Sequence, residues 1–316
     1  MDDSVNNSRS ASIERFGKAR RQAVRNQLSS RLAGQDNRMM PFDEIRAYLR
    51  QQNPLYQGIQ YVPIDQIVGS VGRYKEFTRQ FLPLDDSVKE RWIGVDVLAR
   101  SRGWPPIELY QVGDVYFVVD GNHRLSVGRQ LDVGSIEAHV WQFPETVSIQ
   151  ANDAVDDVLI RLEEERFLER TSLKENVPNY DIQFTTPRRY AELLAQIFNL
   201  QQKLEIIDET AVNLPDAAAA WYEMVYLPTV QIIRESTLLD EFPGRTVSDL
   251  FVWLSKHRKG LREEYGASKN LAELAGKLSE IYHENGISKL KRQVRRLFGG
   301  SHLPPLDETA VADKNT

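Results

Sequence analysis

The sequence predicts an α+β protein in which a small mixed domain is followed by an all-helical domain. Short β-branched and aromatic runs alternate with short helical patterns between residues 55 and 145. From residue 146 to residue 300 the apolar positions recur at helical spacing, with little strand signal. This order is typical of α+β architecture. We expect a disordered start with basic helices at 1–54, the mixed domain at 55–145, the helical domain at 146–300 and a flexible tail at 301–316.

Composition limits the class of protein. Hydrophobic residues make up 41% of the 316 positions, which is enough for a sizeable core. The absence of cysteine excludes disulfides, thiolate metal sites and cysteine nucleophiles. No apolar run approaches the roughly 20 residues that a membrane-spanning helix needs. We therefore expect a cytoplasmic protein that does not contact a membrane.

Two segments are basic although the net charge of the chain is −5. Residues 13–31 combine basic side chains with apolar positions at helical spacing, and the apolar set is Ile13, Phe16, Val24 and Leu28, continued by Leu32. Residues 289–296 form a second basic run near the end of the chain. Both segments are candidate contacts to DNA phosphates. The alternative for each is a solvated helix that packs on its own domain.

Within the mixed domain and just before it, the pattern predicts short elements. Helices are expected at 41–52 and 86–102, a helical turn at 64–67, a loop at 69–77, and strands at 59–62 and 136–141. Residues 107–112 and 115–119 form a hairpin around Gly113-Asp114. Later helices are expected at 153–171, 187–207, 215–238, 246–265, 268–284 and 286–298. Pro228 should kink or divide the third of these, and Thr246 or Ser248 should cap the fourth.

The 120–124 turn, Asp120-Gly121-Asn122-His123-Arg124, joins a predicted buried strand to a predicted helix. The first amides of a helix lack internal partners and attract anions, so a phosphate suits this position. We expect Gly121 to let the ligand approach the backbone closely, while the amides of Asn122 to Arg124 and the Arg124 guanidinium hold the phosphates. Asp120 would hold a metal ion or orient a nucleophile, and His123 would stabilise the charge on a transferring group. The alternative is that Asp120 or Asn122 only caps the helix while Arg124 pairs with a surface carboxylate.

Other chemistry finds less support. The five histidines show no metal-ligand spacing, and Ser126 lies in no serine-hydrolase motif.

The segment from about Gln60 to Gln142 resembles the ParB/sulfiredoxin-like family. Three pieces occur in the family's order: Val62-Pro63-Ile64-Asp65-Gln66-Ile67 followed by Gly72-Arg73-Tyr74-Lys75-Glu76-Phe77, then the segment from Ser87 to the Gly103-Trp104-Pro105-Pro106-Ile107 link, then the 120–124 turn. Trp221–Pro228 and Phe242–Thr246 resemble helical regions that accompany this domain in bacterial proteins of unassigned function.

The turn separates the branches of the family. Sulfiredoxins carry a catalytic cysteine where this chain has Asn122, so sulfinic-acid reduction is excluded. Chromosome-partitioning ParB proteins carry Gly-Glu-Arg-Arg where this chain has Gly121 to Arg124. Archaeal free serine kinases carry Asp-Gly-x-His-Arg and match best, but their catalytic glutamate has no counterpart at 69–73, and the first carboxylate after that loop is Glu76.

The resemblance implies a nucleotide ligand (ATP, ADP or CTP) with Mg²⁺, with Arg73 reaching a phosphate or a surface carboxylate, and Trp104 stacking on the base or serving the core. Three functions follow as hypotheses. The first is a nucleotide-dependent regulator, such as a transcriptional regulator, that contacts DNA. The second is a small-molecule phosphotransferase or nucleotide hydrolase, and the third a non-catalytic interaction module. The sequence leaves the oligomeric state open, with a homodimer among the states allowed.

Overall fold

The computed structural model describes residues 2–33, 36–49, 53–144, 148–236, 238–265 and 271–276. The chain forms two compact units, Met1–Leu162 and Glu163–Thr316. Its combination of a mixed sheet with many helices is α+β, as the sequence predicts. Among the described residues, no helix combines the length and the apolar character that crossing a bilayer requires.

Unit 1 is built on one six-stranded mixed sheet. The strands are β1 (Met40–Pro41), β2 (Leu55–Pro63), β3 (Ile67–Ser70), β4 (Ile107–Val112), β5 (Val115–Asp120) and β6 (Ser135–Gln142). They lie in the order β1-β3-β5-β4-β6-β2. The pairs β1–β3, β3–β5 and β4–β6 are parallel, and the pairs β4–β5 and β2–β6 are antiparallel. The loops that follow β3 and β5 therefore emerge side by side, at the carboxyl ends of these two parallel strands.

Helices cover the two faces of this sheet. The helices of unit 1 are α1 (Asp2–Ala33), α2 (Phe42–Arg46), α3 (Lys89–Ser101) and α4 (Asn122–Gln130), followed by α5 (Val155–Thr171), which begins in unit 1. One core joins the sheet to α1, α3 and α4 through Phe16, Trp92 and Leu125. The other core joins the opposite face to α2 and the start of α5 through Phe42 and Val158. The 120–124 turn lies on the first side, where β5 leads into α4.

The predicted hairpin and the predicted short helical turn are confirmed: β4 pairs with β5 around Gly113-Asp114, and Ile64–Gln66 forms one turn of 3₁₀ helix. The helix predicted at 41–52 is shorter, since α2 ends at Arg46. The loop predicted at 69–77 begins instead with the end of β3. Gly69 explains this error: a side chain there would collide with the Met40 carbonyl and lie 2.5 Å from the Phe117 ring. A glycine that the close packing of three strands requires looks like a loop residue in the sequence.

Helix α1 departs from the prediction in two ways. It begins at Asp2, within the segment expected to be disordered, because no proline or glycine interrupts residues 2–16. Of the predicted apolar stripe only Phe16 is buried, while Ile13, Val24, Leu28 and Leu32 are exposed. The buried face is instead formed by Phe16 together with Ser12, Ala19 and Ala23. The small side chains of the last three let α1 lie close to the domain.

The regular secondary structure of unit 2 is all helical within its described residues, in agreement with the sequence. After α5 it contains α6 (Leu173–Asn176), α7 (Tyr190–Asp208), α8 (Leu214–Trp221), α9 (Leu227–Glu235) and α10 (Val247–Tyr265). A π-helical turn, Tyr222–Tyr226, joins α8 to α9 just before Pro228. Proline has no N–H and crowds the carbonyl four residues earlier, so a wider turn at this place accommodates it. The α-helix predicted at 215–238 is therefore divided by a π-helical turn just before Pro228, where the sequence predicts a kink or a division.

The start of α10 is capped as predicted. The Thr246 hydroxyl accepts a hydrogen bond from the Asp249 amide at 3.1 Å, and the Asp249 carboxylate accepts one from the Thr246 amide at 3.0 Å. This reciprocal arrangement satisfies two amides that a helix start leaves without partners.

The boundary between the units follows Leu162 rather than residue 145, because the first half of α5 packs its apolar residues on the sheet of unit 1. Most of the two helices predicted at 268–284 and 286–298 lies outside the described residues. Of these two ranges the structure describes only 271–276, which are helical. The tail predicted at 301–316 and the basic run at 289–296 also lie outside them.

A buried ion pair fastens α1 to α3, and we expect its loss to lower stability. Arg15 donates from Nε at 3.2 Å and from Nη2 to the carboxylate of Asp96, which is fully buried. Replacing Arg15 by methionine leaves a buried carboxylate without its cation, which should lower the free energy of unfolding by about 2–3 kcal/mol. Denaturant titration measures this loss. The double variant Arg15→Met, Asp96→Leu should recover most of it, and a double variant less stable than the single one would contradict the assignment.

Candidate functional site

The 120–124 turn takes its shape from Gly121. This residue has φ +114° and is the residue from which α4 begins. A side chain at this position would lie 2.7 Å from Cβ of Ile107 on the neighbouring strand β4. Both observations require glycine, because other residues rarely adopt this conformation and none would fit against Ile107. The turn therefore brings the start of α4 directly against the sheet.

Three segments meet at this turn. The loop after β3 runs alongside β5, with the Val71 amide donating to the Val118 carbonyl at 2.9 Å. That loop leads to Phe77, whose ring lies edge-on to the His123 imidazole with 5.5 Å between centroids. Helix α3 packs on α4, where the Trp92 indole N–H donates to the Ser126 hydroxyl at 2.9 Å. The sheet order thus places one loop and two helices around His123.

The start of α4 has no side-chain cap. The Leu125 amide donates to the Gly121 carbonyl at 2.9 Å, which is the first bond of the helix. The amides of Asn122, His123 and Arg124 precede it and belong to the group that a helix cannot satisfy internally. Neither Asp120 nor Asn122 therefore caps the helix, so that half of the alternative interpretation is wrong. Its other half, Arg124 paired with an exposed carboxylate, is confirmed by the ion pair with Asp120. The arrangement that remains is a helix start able to donate to an anion.

Two buried polar atoms in this first turn lack a hydrogen-bond partner. Asn122 and His123 are 4% and 5% exposed, and neither Asn122 Oδ1 nor His123 Nδ1 makes a hydrogen bond. A buried polar atom without a partner costs about 1–3 kcal/mol, so proteins rarely keep two adjacent ones. In His123 the unpaired nitrogen can donate or accept, depending on the tautomer.

The surroundings of His123 disfavour a positive charge. Burial is the largest cause, and the Arg91 and Arg73 guanidinium groups add to it, so that the pKa of His123 falls to about 4 despite the opposing effect of Asp120. The imidazole is therefore neutral at pH 7. The two arginines, one from α3 and one from the loop after β3, make this end of the sheet electropositive.

Arg124 has partners that differ from the predicted phosphate. Its Nη1 donates to the carbonyls of Pro105 and Pro106 at 2.9 and 2.8 Å, and its Nη2 pairs with the Asp120 carboxylate. The guanidinium thus ties the turn to the Pro105-Pro106 segment before β4. Arg124 is positioned to hold the shape of the turn.

Asp120, the predicted metal ligand, keeps 56% of its side chain exposed while it pairs with Arg124. Among the described residues, no group of three or more histidine, aspartate or glutamate side chains is arranged to hold a metal ion. Mg²⁺ typically uses one or two carboxylates together with phosphate oxygens. Asp120 fits that pattern only as a single protein ligand, and it would have to leave its ion pair with Arg124 to bind the ion.

The remaining predicted residues lie at the margin of the site. Arg73 forms an ion pair with Glu76 at 3.3 Å, and its side chain stays 43% exposed. Trp104 is half-buried and packs against the core between the sheet and α4, near Gly128. The structure thus favours the core role of Trp104 that the sequence left as an alternative to base stacking.

Sequence reasoning missed Arg91, Phe77 and Ile107. No spacing relates them to the 120–124 turn, since their proximity arises from helix packing and strand order. Phe77 and Ile107 did carry a signal, since each ends a segment quoted in the family resemblance.

The low pKa of His123 predicts a loss of stability in mild acid. The unfolded chain protonates this residue near its ordinary pKa of 6.5 and the folded chain only near 4, so the unfolded state gains protons as the pH falls between these values. The free energy of unfolding should decrease by about 3 kcal/mol across this window from His123 alone. Denaturant titrations at a series of pH values should show a smaller decrease for His123→Gln. An NMR titration in which the His123 ring protonates near pH 6.5 would contradict this prediction.

Comparison with protein-family models and with curated proteins finds no match to this chain.

Proposed function

We propose that this chain is a nucleotide-binding protein of ParB/sulfiredoxin-like type that holds phosphates at the 120–124 turn and contacts DNA through α1. The observation that carries the proposal is the environment of His123. A neutral, buried imidazole with an unpaired nitrogen lies in the first turn of an uncapped helix, and two arginine side chains act on it.

Phosphate is the ligand chemistry that these groups suit best. The amides of Asn122 to Arg124 donate hydrogen bonds, and the helix dipole favours negative charge at the same place. Arg73 and Arg91 add positive charge from two sides. Bound phosphate would also raise the pKa of His123, because a nearby negative charge favours the imidazolium. Phosphate affinity should therefore increase as the pH falls towards 5.

Arg124 and Asp120 take different parts in this proposal from those that the sequence suggests. Arg124 acts as a positioning residue, since its guanidinium holds the Pro105-Pro106 segment. Asp120, exposed beside it, is the carboxylate that would meet Mg²⁺ carried by a nucleotide. Glu76, the first carboxylate after the 69–73 loop, is paired with Arg73 rather than directed to a substrate position. This favours a binding or regulatory role over phosphoryl transfer.

Helix α1 supports the DNA contact with a smaller set of residues than the sequence suggests. Arg9, Arg15 and Arg20 pair with Glu90, Asp96 and Asp86 of the same unit. Lys18, Arg21 and Arg25 are exposed, and their i, i+3, i+7 spacing places them on one side of the helix. These three side chains are the ones that can reach phosphates. The second basic segment, 289–296, lies outside the described residues and stays a prediction.

Nucleotide binding should raise the melting temperature of the protein. A thermal-shift series with ATP, ADP, CTP and GTP, each with and without Mg²⁺, tests this directly. Arg91→Ala should weaken the binding of the best ligand by about tenfold or more, since a hydrogen bond to a charged group contributes about 1.5–3 kcal/mol. Arg73→Ala should act in the same direction.

The matched control for this test is Arg100→Ala, which removes an exposed arginine from the far end of the same helix. It should leave nucleotide affinity unchanged. The proposal fails if no nucleotide shifts the melting temperature, or if Arg100→Ala weakens binding as much as Arg91→Ala does. Release of ADP or phosphate from ATP would instead favour the enzyme hypothesis.

DNA binding by α1 should depend strongly on salt. In an electrophoretic shift or anisotropy titration, the triple variant Lys18→Ala, Arg21→Ala, Arg25→Ala should bind more weakly and reduce the slope of log affinity against log salt by about 2 to 3. Its circular dichroism should match that of the parent protein, because all three side chains are exposed.

As a control, the double variant Arg100→Ala, Arg102→Ala removes exposed charges at the carboxyl end of α3, outside α1. It should bind DNA as the parent does. If the parent shows no binding even at low salt, the DNA part of the proposal is wrong while the nucleotide part still stands.

A further inference from the structure

Strand β2 is a long edge strand with no charged residue. It runs from Leu55 to Pro63 at one end of the six-stranded sheet. Its nine residues read Leu-Tyr-Gln-Gly-Ile-Gln-Tyr-Val-Pro. An edge strand offers a row of backbone N–H and C=O groups to any strand that can lie beside it, and proteins usually block such edges with lysine, proline or short length. In β2 the blocking features are limited to Pro63, at the very end of the strand, and to an irregularity of the pairing with β6 between Tyr56 and Ile59.

The side chains of this strand are unusually exposed for their type. Leu55, Tyr56, Ile59 and Tyr61 are 62%, 53%, 53% and 74% exposed. The neighbouring strand β6 extends the surface: the Tyr56 hydroxyl and His139 Nδ1 share a hydrogen bond of 2.7 Å, and the Tyr56 and Trp141 rings lie 5.1 Å apart. An apolar and aromatic surface of this kind, continuous with an open strand edge, is typical of an interaction site.

The strand at the opposite edge of the same sheet, β1, is by contrast protected from pairing with a further strand. Strand β1 has only two residues, Met40 and Pro41, and both are buried. Proline cannot donate to a further strand, and the short length offers little to pair with. The two edges therefore differ in length, burial and proline position, and only the β2 edge is open.

We propose that β2 pairs with β2 of a second copy of this chain, antiparallel and across a twofold axis, so that the two sheets become one. An isologous pairing sets the same residues against each other, which requires a strand that does not repel itself. The absence of charge from Leu55 to Pro63 meets this requirement. Tyr61 and Ile59 of the two copies then form cross-strand pairs of the aromatic and β-branched kinds that stabilise antiparallel sheets.

The chemistry of β2 favours a second copy over other partners. A nucleic acid or a charged peptide would find no opposite charge on the strand. The irregularity between Tyr56 and Ile59, where Gly58 has φ +86°, leaves Ile59 to Val62 as the regular part of the edge. Pairing is therefore centred at Gln60, which sets Ile59 of each copy opposite Tyr61 of the other.

The first experiment measures the oligomeric state of the full chain by sedimentation velocity and light scattering over a range of concentrations. The parent protein should be a dimer. Ile59→Lys should raise the dimer dissociation constant at least tenfold, because like charges meet across the twofold axis. The matched control is Ile206→Lys on α7, which changes an isoleucine that is 79% exposed away from the strand and should leave the dimer intact.

Two further measurements test self-pairing itself. Mixing the Ile59→Lys and Ile59→Glu variants should restore a dimer that neither forms alone, since opposite charges then face each other. Because the chain has no cysteine, Gln60→Cys, at the residue that faces its own copy, should form an intermolecular disulfide under mild oxidation, whereas Ile206→Cys should not. Circular dichroism of each variant verifies that it is folded.

A parent chain that remains monomeric at all concentrations overturns the proposal. So does a dimer that Ile59→Lys leaves unchanged, or a pair of oppositely charged variants that does not combine. If the dimer forms and the Gln60→Cys variant does not cross-link, the twofold axis does not pass at this residue and the stated register is wrong.

Discussion

The contact between Gly121 and Ile107 decides where α4 leaves the sheet, and the rest of unit 1 is arranged around that point. With φ +114° and no side chain, Gly121 lets the chain turn from β5 into α4 while it touches β4. Arg124 then reaches back to the carbonyls of Pro105 and Pro106 and fixes the segment that enters β4. The turn is therefore held from both strands of the hairpin, and the amides at the start of α4 keep a fixed direction. Preorganised amides are what an anion site needs, since no reorganisation is then required on binding.

The first turn of α4 is also the place where the fold accepts unfavourable burial. Asn122 and His123 are nearly inaccessible and each keeps an unpaired polar atom, although the same helix further along pairs its buried Ser126 with Trp92. Folding alone would favour apolar residues at such positions. Violations of local rules tend to collect at functional sites, where another requirement outweighs stability. The electropositive surroundings from Arg73 and Arg91 strengthen this interpretation, because they destabilise a protonated histidine and stabilise an anion at the same place.

The sequence predicted the elements whose signals are local. The hairpin around Gly113-Asp114 and the capped start of α10 at Thr246 follow from turn and cap chemistry within a few residues, and both are confirmed. The errors arise where packing between distant segments decides. Gly69 belongs to a strand because Met40 and Phe117 crowd it, and the buried face of α1 is chosen by Ala19 and Ala23, which are small, over larger apolar residues. Within the candidate site, the glycine and the helix start were predictable from residues 120–124, whereas Arg91 and the carbonyl partners of Arg124 depend on tertiary contacts.

Helix α3 connects the two surfaces that the proposed function uses. Its Arg91 acts on His123 at the turn, its Trp92 bonds Ser126 of α4 and packs edge-on against Phe16 of α1 at 5.6 Å, and its Asp96 holds Arg15 of α1. A phosphate that draws Arg91 towards the turn acts on a helix that already carries α1 on its other side. Binding at one surface can change affinity at the other only if the two states differ in free energy, and the effect must then be equal in both directions. In the proposed function, α3 is the element through which nucleotide binding and DNA binding would be coupled.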